Sequence, residues 1–171
     1  MEGQVSEQLF EVLEKIPIFA GLSGSELQGI FDICRLKDHA AEELIYASGS
    51  PSTDLFILLG GELAVRTSAG VEVSRIRPVG LVGEMGVITE EPRSADVVTL
   101  SSVTGFLIAR EDLLRLLRDN GETSRKVLLN VISILARKLF DTNSRLEDLK
   151  NSAPGLTKEV EELLADNVFL Y

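Results

Sequence analysis

Between Gly80 and Thr99 the chain reads GLVGEMGVITEEPRSADVVT. Three glycines, Gly80, Gly83 and Gly86, precede an isolated Arg93, and a β-branched run follows it. Glycine lets backbone N–H groups come close to a ligand and turn toward it. A short helical turn opening near Glu84 aims its free N–H groups at an anion. Arg93 adds a planar fork that matches two phosphate oxygens. Glu84 supplies an acceptor for a hydroxyl on the same ligand. An anion-binding loop with a built-in carboxylate points to a sugar phosphate rather than bare phosphate.

Other reactive residues make weaker constellations. His39 and Cys34 are the only histidine and the only cysteine. One of each does not make a zinc site, so no metal is expected. His39 lies in a β-like run and is expected to face water. Asp54 and Glu62 flank a hairpin with no nucleophile nearby, and read as charged turn residues rather than a catalytic pair. No catalytic residue is assigned and no enzymatic activity is expected.

The elements that must position the loop follow from periodicity. Val5 to Ile16 reads as an amphipathic helix with Leu9, Val12, Leu13 and Ile16 on one face, and Ser23 to Ile33 as a second. Short β-type runs then succeed one another: 36–40, 44–47, 55–59, 63–67, 71–76, 95–100 and 103–109. Turn signals such as Gly60-Gly61 and Ser68-Ala69-Gly70 separate them, which suggests a sandwich or barrel of antiparallel strands. Val71, Val73 and Val82 are expected to form an apolar wall beside the loop. Glu111 to Leu117 reads as a short helix and about 122–150 as a long one. In the long helix Leu128, Ile132, Leu135, Leu139, Thr142, Leu146 and Leu149 recur by alternating steps of four and three. That is a heptad seam, which implies a partner helix and a homodimer through 128–149. The expected division is N-terminal helices over 1–34, a barrel over 35–110, C-terminal helices over 111–150, and a linker with a terminal helix over 151–171.

Composition narrows the partners. The net charge of −10 argues against a general affinity for nucleic acid or anionic membrane. No apolar run is long enough to span a bilayer, and the first residues lack the basic and apolar regions of a signal peptide. A single cysteine fits a reducing compartment, so a cytoplasmic setting is expected.

Gly83-Glu84-Met85-Gly86 followed by Pro92-Arg93-Ser94-Ala95 resembles the phosphate-binding cassette of cyclic nucleotide-binding domains. The resemblance implies an α+β, mainly β fold: a jelly-roll barrel flanked by N-terminal helices and a long C-terminal helix. It gives Glu84 to the ribose 2′-hydroxyl and Arg93 to the cyclic phosphate. Amides of Met85, Ser94 and Ala95 complete the cradle, with Val82 and Gly83 leading into it. The stretch Leu135 to Leu146 resembles the dimer helix of the catabolite activator family, where a Thr-Ser pair reads the base of cyclic AMP. That pair falls on Thr142 and Asn143, and asparagine departs from the serine. Cyclic AMP is therefore the expected ligand, with cyclic GMP the alternative. The segment after the long helix is short and acidic, with Glu159, Glu161, Glu162 and Asp166 against Lys158, so no direct DNA reader is expected. The implied function is a non-catalytic sensor that signals through helix rearrangement to another protein. A dimeric scaffold with a vestigial pocket is the competing class.

Overall fold

The computed structural model describes residues 10–152, with side chains for 10–148. They fall into two units, one ending at Val131 and one beginning at Ile132. Residues 10–14 form a helix, α1; the earlier part of the helix expected over Val5 to Ile16 lies outside the described residues. A 3-10 turn at Pro17–Phe19 and helix α2, Gly24–Asp32, lead into eight strands. These are β1 (Cys34–His39), β2 (Leu44–Tyr46), β3 (Asp54–Gly60), β4 (Leu63–Arg66), β5 (Glu72–Ile76), β6 (Gly80–Val82), β7 (Asp96–Thr99) and β8 (Val103–Ala109). Helix α3, Glu84–Thr89, interrupts them between β6 and β7. Helices α4, Arg110–Asp119, and α5, Gly121–Ser152, follow.

The pairing explains the fold. β1 pairs with β8, β2 with β7, β3 with β6 and β4 with β5, all antiparallel. This is one long folded ribbon wrapped on itself, and it gives sheets in the orders β1-β8-β3-β6 and β2-β7-β4-β5. That arrangement is a jelly roll. Tyr46, Phe56, Leu58, Leu63, Val82, Val97 and Val103, drawn from both sheets, share one core. Strand period places Leu55 and Ile57 on the opposite face of β3 from Phe56 and Leu58. All four are fully buried, so β3 reads as a continuous apolar run.

Three expectations are corrected here. β6 lies inside the stretch read as a glycine loop; three residues carry no periodicity, and it is the pairing of Gly80 with Leu58 that makes it a strand. Val71 and Val73 are exposed beside or on β5, at the end of its sheet, and line no wall; Val82 is buried in the barrel core. Asn151 and Ser152, expected to open a linker, belong to α5. The terminal helix expected over Thr157 to Asn167 lies outside the described residues. Among the described residues no helix is long and apolar enough to cross a membrane.

In the first unit, α5 is fastened by one face. Thr123, Val127 and Val131 are buried, while Leu128 of the seam is exposed. The Asn130 side-chain amide donates to the carbonyls of Ile18 and Ala20, at 3.1 and 2.8 Å. Lys126 donates to Glu26 at 2.7 Å, and Thr123 to the same carboxylate at 3.2 Å. Glu26 also closes the capping box of α2 with Ser23.

The Lys126 ammonium, then the Ser23 amide, hold the Glu26 carboxyl down at about 2, against an ordinary 4.5. Because the folded state binds this proton more weakly, the stability involved is full above pH 4.5 and is lost as pH falls toward 2. Glu26→Gln is expected to cost about 1–2 kcal/mol at neutral pH, discounted for partial exposure. It should also flatten the acid limb of the stability profile. Urea melts across that pH range measure both.

Candidate functional site

Arg93 lies on the segment between α3 and β7, and its side chain is only 5% exposed. Backbone bonds fix the segment: the Arg93 amide donates to the Ser50 carbonyl at 2.9 Å, and the Gly49 amide to the Arg93 carbonyl at 2.8 Å. The guanidinium carbon lies 3.6 Å from the centroid of the Tyr46 ring, a cation–π stack. Nη2 donates to the Asp54 carbonyl at 2.7 Å and to Asp54 Oδ1 at 3.3 Å, and Nη1 to the Gly83 carbonyl at 3.4 Å. The buried Nε–H has no acceptor among the described residues. An unmet buried donor costs about 1–3 kcal/mol, more when charged. An anionic oxygen is the partner that would relieve it.

Gly83 joins the two halves of the cassette. It ends β6 as the N-cap of α3, in the left-handed region at φ 88°. Its carbonyl meets Arg93, and the next residue is Glu84, which is 4% exposed and opens α3. Glu84 and Arg93 are thus both buried and both anchored at Gly83. Further along α3, the Val87 carbonyl accepts from Arg110 Nε at 3.0 Å, and Glu90 pairs with Arg110. Ser52 donates to the Glu91 carbonyl at 2.8 Å. These bonds tie the cassette to the start of α4 and to the segment before β3.

The remaining expected site residues are placed as follows. Met85 and Ser94 are exposed, each next to a buried residue of the pair Glu84 and Arg93, and Ala95 is half-buried. Thr142 and Asn143 lie on α5 in the second unit, where the Thr142 hydroxyl donates to the Lys138 carbonyl of its own helix at 2.8 Å.

Two residues that sequence reasoning missed complete the surroundings of Arg93. The Tyr46 phenol donates to Asp54 Oδ1 at 2.5 Å, and the Thr53 hydroxyl to Oδ2 at 3.0 Å. Burial first, and then Asp54, push the phenol above its ordinary range, so it stays a donor. Asp54 is not a turn charge, as expected, but the first residue of β3 and the counter-ion of Arg93. A buried arginine demands an acid; that demand was the available signal. Glu62 is engaged elsewhere, by Arg77 at 2.9 Å.

His39 is also corrected. Its side chain is 9% exposed rather than facing water, packed edge-on against Phe56 and bonded to Glu43 at 2.7 Å. Among the described residues no group of three His, Cys, Asp or Glu is arranged to hold a metal.

Comparison with known proteins bears on the family and the fold. Residues 36–120 match the family described as the cyclic nucleotide-binding domain. Glutaminase 1 of Bradyrhizobium diazoefficiens is 28% identical over 140 residues, 82% of this chain and 23% of that protein. The cyclic AMP receptor protein of Thermus thermophilus is 26% identical over 135 residues, 77% of this chain and 61% of that protein. The crystal structure of the Thermus thermophilus catabolite activator protein superposes with a TM-score of 0.67 at 26% identity, covering 78% of this chain and 63% of that one. The chain spans less than two thirds of each of these relatives. Through residues 36–120, and with a jelly roll wrapped as the pairing requires, this chain belongs to the cyclic nucleotide-binding domain family.

Proposed function

We propose that the chain is a non-catalytic sensor of a cyclic nucleotide, with cyclic AMP its ligand and cyclic GMP the nearest competitor. The observation that carries this reading is the buried Arg93 Nε–H, which has no acceptor among the described residues, on a guanidinium anchored at the residue that precedes Glu84. A cyclic phosphate oxygen satisfies that donor, and a ribose 2′-hydroxyl suits the Glu84 carboxylate. Met85, Ser94 and Ala95 supply backbone amides around the phosphate. The resemblance of the long helix gives Thr142 and Asn143 to the base, and the order of affinity for the two cyclic nucleotides tests that assignment.

Ligand shifts the cassette and, with it, the helices that follow the barrel, by no more than its differential affinity for the two arrangements. The message then passes to a partner protein. The glutaminase match, which takes up less than a quarter of that protein, favours a module that reports to a larger partner. A cytoplasmic setting fits the lone Cys34, whose thiol burial pushes up to about 12 and leaves unreactive. Calorimetric titration with cyclic AMP and cyclic GMP tests the sensor, and recovery of intact nucleotide after long incubation tests the lack of turnover. A dimeric scaffold with a spent pocket is the second reading, favoured by Asp54 occupying part of the Arg93 fork. No heat at millimolar nucleotide selects it.

The seam of α5 supports a homodimer in either case. Leu128 in the first unit, and Ile132 and Leu139 in the second, are exposed apolar residues at heptad positions. Leu135→Glu is expected to place a charge in that seam and to halve the mass seen by light scattering. An unchanged mass would overturn the intermolecular seam.

A further inference from the structure

A guanidinium waiting for an anion does not need a carboxylate of its own, yet Arg93 has one. Asp54 Oδ1 lies 3.3 Å from Nη2, and the Tyr46 phenol pins that same oxygen at 2.5 Å. Thr53 takes the other oxygen at 3.0 Å. With both oxygens bonded, the carboxylate cannot swing aside when a ligand arrives. Resting on the function proposed above, the geometry points to Asp54 as a specificity-determining residue: a fixed negative charge behind Arg93 that offsets the guanidinium's pull on a second phosphate charge, and so favours a singly charged cyclic phosphodiester against the doubly charged terminal phosphate of an open nucleotide.

The charges around the site set the sign. Arg93 faces Asp54 from the segment before β7, and Tyr46 faces it from β2 as a neutral phenol. Glu84 opens α3 beside Gly83, and Arg110 at the start of α4 turns away to Val87 and Glu90. Arg93 is therefore paired with Asp54 before any ligand charge is counted, so part of its pull on a second phosphate charge is already offset. A cyclic diester brings one negative charge; a terminal phosphate brings nearly two at neutral pH, since its second ionisation lies near pH 6. Repulsion of one extra charge about 7 Å from the carboxylate, at an effective dielectric of 20 to 40, lowers affinity for the terminal phosphate roughly ten- to fiftyfold relative to the same site without Asp54.

The test is calorimetric titration of the wild type, Asp54→Asn and Tyr46→Phe with cyclic AMP and with 5′-AMP, at pH values above and below the second phosphate ionisation. Asp54→Asn keeps an acceptor for the phenol, removes the charge and reverses the bond to Thr53, whose hydroxyl can accept from the new amide. It is expected to narrow the ratio of the two affinities about tenfold, chiefly by tightening 5′-AMP. Tyr46→Phe keeps the charge and leaves Thr53 and Arg93 holding the carboxylate in place, so it should weaken both ligands alike, leaving the ratio within about twofold; a residue that merely supported the fold would behave this way at both positions. Affinity for 5′-AMP should also fall more steeply with acid in Asp54→Asn than in the wild type, because the variant no longer offsets the pull of Arg93 on the second phosphate charge. Cyclic AMP binding with an unchanged ratio in Asp54→Asn, or the same pH slope for 5′-AMP in both proteins, overturns the charge filter alone. No cyclic AMP binding by the wild type overturns both the filter and the sensor.

Discussion

Arg93→Leu is expected to lower cyclic AMP affinity by about a hundredfold and to destabilise the fold in the same step. The first effect follows from the loss of a charge-assisted contact to phosphate, a net contribution of about 1.5–3 kcal/mol, together with the partly buried negative charges left facing an anion. The second follows from what surrounds the guanidinium. Asp54 loses its counter-ion and Tyr46 loses the cation over its ring. Leaving a largely buried carboxylate without its partner costs about 1–3 kcal/mol after solvent screening of its exposed part. The two effects separate in Arg93→Lys. Lysine keeps a positive charge beside Asp54, so most of the stability should return. It lacks the fork that reaches Asp54, Gly83 and a phosphate together, so most of the affinity should not. Thermal melts and calorimetry on both variants supply the four numbers. Leucine binding cyclic AMP as the wild type does would refute the phosphate assignment, whatever the melts show.

How far this site could be read from the chain alone depends on the distance over which its parts speak to each other. The cassette was legible because Gly83, Glu84, Arg93 and Ser94 sit close together in sequence, and each residue type has a reason to be there. The succession of strands was legible because turn residues punctuate it, and the buried face of β3 because Leu55 to Leu58 is unbroken. The counter-ion was not. Asp54 and Arg93 are 39 residues apart, and they meet only because β3 lies next to β6 while Gly83 turns the chain back toward the Arg93 segment. Tyr46 counted in the sequence as one apolar residue of a strand; its hydroxyl became informative only with Asp54 beside it. His39 misled for the opposite reason. Its strand is otherwise polar and exposed, but edge-on packing against Phe56 and a bond to Glu43 draw this one side chain inward. Val71 and Val73 have the composition of a wall residue, and only the order of the sheets shows that β5 is an edge.

Gly83→Ala should damage the fold and the site together. At φ 88° an L-residue is strained, which costs about 1–2 kcal/mol wherever it occurs. Here the new methyl also has nowhere to go. It would lie 2.5 Å from Arg93 Nη1, 3.1 Å from the Asp54 carbonyl and 3.2 Å from the Tyr46 ring. The backbone and the ring are fixed by the sheets, so the guanidinium must move, and with it the Nε–H offered to the ligand. Gly49 provides the control, with φ 78° and nothing within 4 Å of the same added methyl. Gly49→Ala should show the strain alone, a fall in Tm of about 3–6 °C with little change in affinity. Gly83→Ala should fall about twice as far and lose affinity at least tenfold, because strain and displaced arginine act together. Equal melting temperatures and equal cyclic AMP affinities in the two variants would mean that the crowding at Gly83 is relieved without moving Arg93. In that case Arg93 does not need its observed position to bind the ligand. The difference between two alanines, one crowded and one free, therefore measures how much of the site's function lies in the placement of a single guanidinium.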